Sequence, residues 1–320
     1  MGMLVKGVWQ DAVYASGSGE FIRADSVFRD RVTRDGSSAF PAAAGRYHLY
    51  VSLACPWAHR TLIMRALKGL DQAITVSVVD PYMGADGWAF TRRRGCNDDG
   101  VNGAAYLREI YLRAKPDYTG RVTVPVLWDR ISGTIVSNES AEIMRMLNSE
   151  FDAFATRALH DIYPQALRPE IERWNTIIYR TVNNGVYRAG FASAQDKYET
   201  AVRELFATLD TLEAHLARQR YLCGGAFTEA DWRLFTTLVR FDAVYYGHFK
   251  CNLRRLADYD NLRNYARELY QVPGIAATVD LEHIKEHYYR SHAHINPSGI
   301  VPLGPELDFA AAHDRARLAA

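Results

Sequence analysis

The sequence predicts an α/β domain of thioredoxin-like topology followed by an all-α domain, and three observations carry that expectation. The chain has 320 residues, enough for two packed cores when one core serves about 100 to 200 residues. Up to residue 150, segments of period two alternate with segments of helical period in the order strand, helix, strand, insertion, helix, strand, strand, helix. From about residue 164 to 286 the pattern is helical almost throughout, with no convincing strand.

Residues 1–45 lack clear periodicity, are rich in Gly, Ser, Asp and Arg, and read as an irregular N-terminal extension. The α/β domain spans 46–150. Residues 47–52 (Tyr-His-Leu-Tyr-Val-Ser) alternate as a strand should and run into Ala54-Cys55-Pro56-Trp57, and residues 58–67 carry apolar side chains at helical spacing. A second strand covers 74–79. Residues 80–120 form a long polar insertion, with a helix at 106–113; loops of this length in compact domains are usually functional. Residues 124–129 and 133–136 read as two strands about a turn, and a helix opens at Asn138-Glu139-Ser140 and runs to about Leu147. The all-helical domain spans 160–290, with helices at 171–183, 195–218, 228–246 and 262–270. Thr228-Glu229-Ala230-Asp231 gives a helix start in which Thr228 caps and the Asp231 carboxylate returns a bond to the cap's N–H. Residues 291–320, with Pro297, Gly299, Pro302, Gly304 and Pro305, form a tail.

Composition narrows the function. Lys+Arg 38 against Asp+Glu 37 leaves a net charge of +1, so nothing in the charge balance favours nucleic acid or an anionic membrane as partner. No apolar run approaches the ~18 residues of a membrane span. The N-terminus leads into Trp9, Asp11 and Tyr14 rather than a signal-peptide core, so a cytoplasmic protein is expected. The four cysteines, Cys55, Cys96, Cys223 and Cys251, form no C-x-x-C pair and are expected as thiols.

Cys55 follows a strand and precedes Pro56, which suits the first turn of a helix because its missing N–H would be unpaired there. A thiolate at that place faces backbone N–H groups and the positive end of the helix dipole, and both lower its pKa. The fourth position of Cys55-Pro56-Trp57-Ala58 is alanine. Without a second cysteine to resolve a mixed disulfide, an outside thiol must do so, which predicts monothiol chemistry with glutathione as co-substrate. Val124-Pro125, taken alone, reads as an ordinary edge-strand proline; downstream of Cys55 in a thioredoxin-like domain it also resembles the cis-proline whose preceding residue pairs with a bound peptide backbone. Glu139-Ser140 open a helix whose N–H groups and hydroxyl suit a carboxylate, while Glu139 suits an amino group. Glutathione's γ-glutamyl end carries both. His283-Ile284-Lys285-Glu286-His287 matches the H-x-x-E-H zinc pattern. With His 10 in the chain so short a match arises by chance, and no metal site is expected.

Longer stretches carry a family likeness. Ser52-Leu53-Ala54-Cys55-Pro56-Trp57-Ala58-His59-Arg60, Arg121-Val122-Thr123-Val124-Pro125-Val126-Leu127-Trp128-Asp129 and Ser137-Asn138-Glu139-Ser140 resemble the glutathionyl-hydroquinone reductases, the Xi class of the glutathione transferases. So do Asn183-Asn184-Gly185-Val186-Tyr187-Arg188-Ala189-Gly190-Phe191-Ala192, Phe241-Asp242-Ala243-Val244-Tyr245, His248-Phe249-Lys250-Cys251 and Asn296-Pro297-Ser298-Gly299-Ile300. The likeness covers most of the chain, extension and tail included.

The resemblance implies a glutathione transferase fold with Cys55 as nucleophile. Trp88 would cover the bound glutathione, Arg121, Val122, Thr123, Val124 and Pro125 would form its binding segment, and Glu139 and Ser140 would hold its γ-glutamyl end. From the helical domain, Tyr187 would donate a proton to the aromatic substrate, with Tyr245 and Tyr288 near the thiol and substrate. The substrates would be glutathione and glutathionylated aromatic hydroquinones, with no tightly bound cofactor, no metal, no nucleic acid and no membrane, in a homodimer. Two other classes fit parts of the pattern: a transferase that conjugates glutathione to electrophiles, and a non-catalytic glutathione-fold binding or sensor protein.

Overall fold

The computed structural model describes residues 2–11 and 18–318 and divides them into two compact units. The first comprises 2–11, 24–160 and 278–293, and the second 18–23, 161–277 and 294–318. Met1, residues 12–17 (Tyr14 among them) and 319–320, parts of the expected extension and tail, lie outside the described residues.

The first unit begins with a hairpin that the sequence did not announce. Strands β1 (Gly2–Val5) and β2 (Val8–Asp11) pair antiparallel across Lys6-Gly7. Both turn residues have positive φ, 49° and 79°, the conformation that suits a two-residue hairpin. Four residues per strand are too few to show periodicity against their polar surroundings. Short strands β3 (Val32–Thr33) and β4 (Phe40–Pro41) pair parallel.

The main sheet has the order β6-β5-β7-β8. Strand β5 (Tyr47–Val51) runs parallel to β6 (Ile74–Val78) and antiparallel to β7 (Val126–Asp129), which pairs antiparallel with β8 (Thr134–Ser137). All five residues of β5 are buried, so the alternation in its sequence does not mark a wet face. Its polar atoms find partners instead: His48 Nδ1 lies 2.7 Å from Thr75 Oγ1, and the Tyr50 hydroxyl donates to Asp99 at 2.9 Å. Helix α1 (Pro56–Lys68) follows β5 and packs against α3 (Ser140–Ser149). It ends at Gly69, whose φ of 61° places it in the left-handed region, with Gly69 N–H bonded to Ala66 and Leu70 N–H to Arg65. Helix α2 (Leu107–Ala114) lies in the insertion.

The second unit is helical among its described residues. Helix α4 (Arg168–Ile178) runs into a π-helical turn, Tyr179–Asn183, followed by α5 (Gly185–Gly190) and the long α6 (Gln195–Leu216). Helix α7 (Glu229–Leu238) is followed by a second π turn, Phe241–Tyr245, and then by α8 (Asp260–Tyr270). The expected continuous helices at 171–183 and 228–246 are therefore each broken. The capping box at Thr228 is present: Asp231 accepts the Thr228 N–H at 2.7 Å and also the Leu222 amide and the Tyr265 hydroxyl. In the tail, Arg315 is fully buried and donates to the Leu216, Gln219 and Arg220 carbonyls. These lie at the C-terminal end of α6 and just beyond it, where unpaired carbonyls favour a cation.

Helix α9 (Leu281–Ser291) belongs by its contacts to the first unit, not to the helical one with which sequence order grouped it. Asp280 caps it by accepting the His283 N–H at 2.9 Å.

Asp129 shows how the sheet end is held. Its carboxylate is fully buried and forms a two-point ion pair with Arg46, at 2.7 and 2.6 Å. Burial pushes its pKa up, but bonds from Arg46, Ser132 and the Ile131 amide outweigh that and hold it below the usual carboxylate value. The folded pKa is therefore lower than the unfolded one. The contribution is present above about pH 4 and is lost as pH falls through the folded value. Asp129→Asn should lower stability in urea titration by about 3 kcal/mol at pH 7, and its deficit should shrink toward pH 2. A deficit that does not change with pH would show that the ion pair is not its source.

Candidate active site

Cys55 is the N-cap of α1, with φ −78° and ψ 121° and no side-chain cap bond, and Pro56 stands at the first helical position. The thiol is half-buried. Its approach is shaped by a compact turn in which Cys55 N–H bonds to the Ser52 carbonyl and Ala54 N–H to the Ser52 hydroxyl. The thiol lies 3.6 Å from the Val124 carbonyl oxygen. The Val124-Pro125 peptide is cis, and Pro125 precedes β7 rather than interrupting it, so no ladder bond is lost.

The segment Arg121, Val122, Thr123 and Val124 is pinned by two tyrosines of the insertion. The buried Tyr111 hydroxyl donates to the Thr123 carbonyl at 2.8 Å and accepts the Thr123 N–H at 3.2 Å and the Asn138 amide at 3.2 Å. The Tyr118 hydroxyl donates to the Arg121 carbonyl at 3.1 Å. Glu139 caps α3: one carboxylate oxygen accepts the Ala141 N–H at 3.1 Å and the other the Ser26 hydroxyl at 3.0 Å. A carboxylate has about four acceptor positions, so these bonds leave capacity for an amine. Ser140 is buried, and its hydroxyl accepts from Arg60 Nη1 at 3.3 Å. Arg60 is also buried, and its guanidinium lies 4.5 Å from the centre of the Trp57 ring.

Trp88 is buried and stacks on His287 of α9, with ring centres 4.8 Å apart. The zinc-like pattern is spent on this joint. His283 Nε2 bonds to the Arg94 carbonyl, His287 Nδ1 to the Pro81 carbonyl, and Glu286 pairs with Arg93 at 2.7 Å. Tyr288, expected from the helical domain, stands in α9 and so in the first unit, buried beside His287 and His292.

Tyr187 and Tyr245 stand together in the second unit, ring centres 6.1 Å apart. Phe249 packs edge-on against Tyr187 at 5.4 Å and stacks on Tyr245 at 5.6 Å. Tyr245 is fully buried and Tyr187 half-buried. The sequence reading assigned no role to Arg60 or His287. His287 was visible as part of the H-x-x-E-H match, and Arg60 as the last residue of the Ser52–Arg60 stretch.

The remaining thiols sit differently. Burial pushes Cys223 up to about 12, and it also raises Cys251 and, more moderately, Cys96.

A thioredoxin-like unit with a cysteine opening its first main helix, and a second unit of helices, define the class of the glutathione transferases. Family models for the glutathione S-transferase N-terminal and C-terminal domains match residues 54–150 and 195–268. The glutathionyl-hydroquinone reductase PcpF of Sphingobium chlorophenolicum is 53% identical over 95% of this chain and 96% of its own. The glutathionyl-hydroquinone reductase YqjG of Escherichia coli is 53% identical over 98% of both. The glutathione-bound structure of YqjG superposes with a TM-score of 0.91, covering 98% of this chain and 99% of that one at 51% identity. A Xi-class enzyme from Natrialba magadii gives 0.94 at 53% identity, covering 100% and 98%. This chain belongs to the Xi class of the glutathione transferase family.

Limited alkylation with iodoacetamide at neutral pH should label Cys55 before the other three thiols, because thiolate fraction and exposure set the rate. Peptide mapping reads the order. First labelling at Cys96, Cys223 or Cys251 would contradict this assignment.

Proposed function

We propose that the protein reduces glutathionyl-hydroquinones to hydroquinones at the expense of glutathione, with Cys55 as nucleophile. The observation that carries this reading is Cys55 at the start of α1 with Ala58 in place of a second cysteine. It occurs in a chain 53% identical over nearly its whole length to two glutathionyl-hydroquinone reductases. The helix N-terminus favours the thiolate.

The thiolate attacks the sulfur of the glutathionyl group. A Cys55–glutathione disulfide forms, the bond from sulfur to the aromatic carbon breaks, and its electron pair stays with the carbon. Tyr187 supplies the proton, so no free carbanion is expelled. A second glutathione, as thiolate, attacks the mixed disulfide and leaves as oxidised glutathione, regenerating Cys55. The sum is one thioether and one thiol converted to one C–H bond and one disulfide. For binding, the segment 121–125 would run beside glutathione with Val124 pairing to its backbone, and Trp88 would cover it. The α3 N-terminus with Ser140 and Glu139 would take the γ-glutamyl carboxylate and amine. Arg60, bonded to Ser140, adds positive charge at that end. Tyr245 and Tyr288 are assigned to the aromatic substrate's surroundings.

The reading also places the protein in the cytosol, where reduced glutathione is abundant, as a homodimer. No described helix is long and apolar enough to cross a membrane. Light scattering on the purified protein should give twice the mass of 36.2 kDa, and a monomer would remove the dimer from the proposal.

Wild type should convert glutathionyl-menadiol to menadiol and oxidised glutathione, and Cys55→Ala should not. Without free glutathione, one equivalent of menadiol should be released and mass spectrometry should find glutathione on Cys55. Full activity of Cys55→Ala would sink the mechanism. Conjugation of electrophiles without an adduct would favour the transferase reading, and binding without turnover the non-catalytic one.

A further inference from the structure

We infer that Arg23, from the N-terminal extension, tunes the Tyr187 phenol as an acid and holds its ring in place. The inference rests on Tyr187 being the proton donor proposed above.

Residues 18–23 belong to the second unit, outside either family-model match, and they are fastened to it at Gly19, Glu20, Phe21 and Arg23. Ser193 N–H bonds to the Gly19 carbonyl at 3.0 Å. Gly19 has φ +76°, and a Cβ there would meet Ala194 Cβ at 2.7 Å, so only glycine permits the approach. Glu20 pairs with Arg188 at 3.5 Å. Phe21 is buried against Phe191 at 5.3 Å and Tyr187 at 6.2 Å. Arg23 Nε then donates to Asn184 Oδ1 at 2.9 Å, which sets its guanidinium 4.9 Å from the centre of the Tyr187 ring.

A cation over an aromatic face is attracted by the ring, and it is attracted more strongly once the phenol has lost its proton. Proton donation turns Tyr187 into a phenolate, so Arg23 stabilises the donor's product and makes the phenol a stronger acid. The other charged and titratable groups around Tyr187 are differently engaged. Arg188 is paired with Glu20 and Glu204. Asp242 accepts the Leu256 and Ala257 amides. His248 stacks on Phe249 and His294 on Phe191, and burial lowers the pKa of His294. The Lys250 charge also lowers the pKa of His294, and Tyr245 presents its ring at 6.1 Å.

The test is menadiol release from glutathionyl-menadiol in a single turnover, with enzyme in excess and no free glutathione, measured across pH. The rate should fall on the alkaline side as Tyr187 loses its proton, and Tyr187→Phe should lack that limb. Arg23→Gln should move the limb up by about one pH unit and lower the plateau about tenfold, while Arg23→Lys keeps the limb near the wild-type position. Should Arg23→Gln fail to fold by circular dichroism, Asn184→Ala, which frees the guanidinium, should raise the limb in the same direction. A limb unmoved in Arg23→Gln, or in Asn184→Ala where that replaces it, with Tyr187→Phe lacking its limb, overturns the role of Arg23 and leaves the donor assignment standing. A Tyr187→Phe enzyme with wild-type rate and limb overturns both.

Discussion

The junction between β5 and α1 is the constraint on which the first unit depends. Strand β5 is buried on both faces, so the chain must leave the sheet within a turn and start a helix inside the protein. A helix start leaves several N–H groups without intrahelical partners. Pro56 removes one donor, and Cys55 supplies no side-chain cap. A sulfur anion or an incoming substrate atom is the complement to such an end, and the position of the cis Val124-Pro125 peptide beside the thiol follows from the pairing of β7 with β5.

The long insertion is ordered by a second kind of constraint, the cost of burying a carboxylate without partners. Asp80 and Asp99 are each 5% exposed. Asp99 accepts the Tyr50 hydroxyl and the amides of Val101, Asn102 and Ala104; Asp80 accepts the Tyr82 amide, the Thr91 hydroxyl and Arg93. Each knot fixes the loop's backbone at several points, and the fixed loop presents Trp88 and the Tyr111–Tyr118 brace. Surface ion pairs contribute much less. Arg92 and Asp98 are 86% and 53% exposed, and pairs of that kind are worth about 0–1 kcal/mol.

Much of this was legible in the residues. The β-α-β order, the Cys-Pro helix start and the Thr228 capping box are local patterns, set by side chains within a few residues of one another. What stayed hidden depends on long-range partners. The β1–β2 hairpin is too short for periodicity and is made by Lys6-Gly7. Helix α9 has an ordinary amphipathic sequence, and its long-range contacts with the insertion, among them the bonds of His283, His287, Glu286 and Ser291, assign it to the first unit. Its H-x-x-E-H spacing reflects one helix face meeting one loop. Tyr187 and Tyr245 enter the proposed mechanism only by likeness to a family, since nothing in the pattern of a chain with Tyr 19 distinguishes them from packing residues.

The two π turns interrupt segments that periodicity alone reads as continuous helix, one just before Tyr187 and one ending at Tyr245. A π turn inserts an extra residue and has poorer hydrogen-bond geometry than an α-helix, so it persists only where the surroundings hold it. Asn183, the last residue of the first π turn, is buried and donates to the Arg233 carbonyl at 2.9 Å and the Thr237 hydroxyl at 2.8 Å. Both acceptors lie on α7, directly before the second π turn, which ends at Tyr245. One side-chain amide thus ties the irregular turn leading to Tyr187 to the helix leading to Tyr245. Regular helices through both segments would rotate each ring away from its neighbour. The departure from α geometry is therefore the means by which two distant tyrosines reach one aromatic cluster.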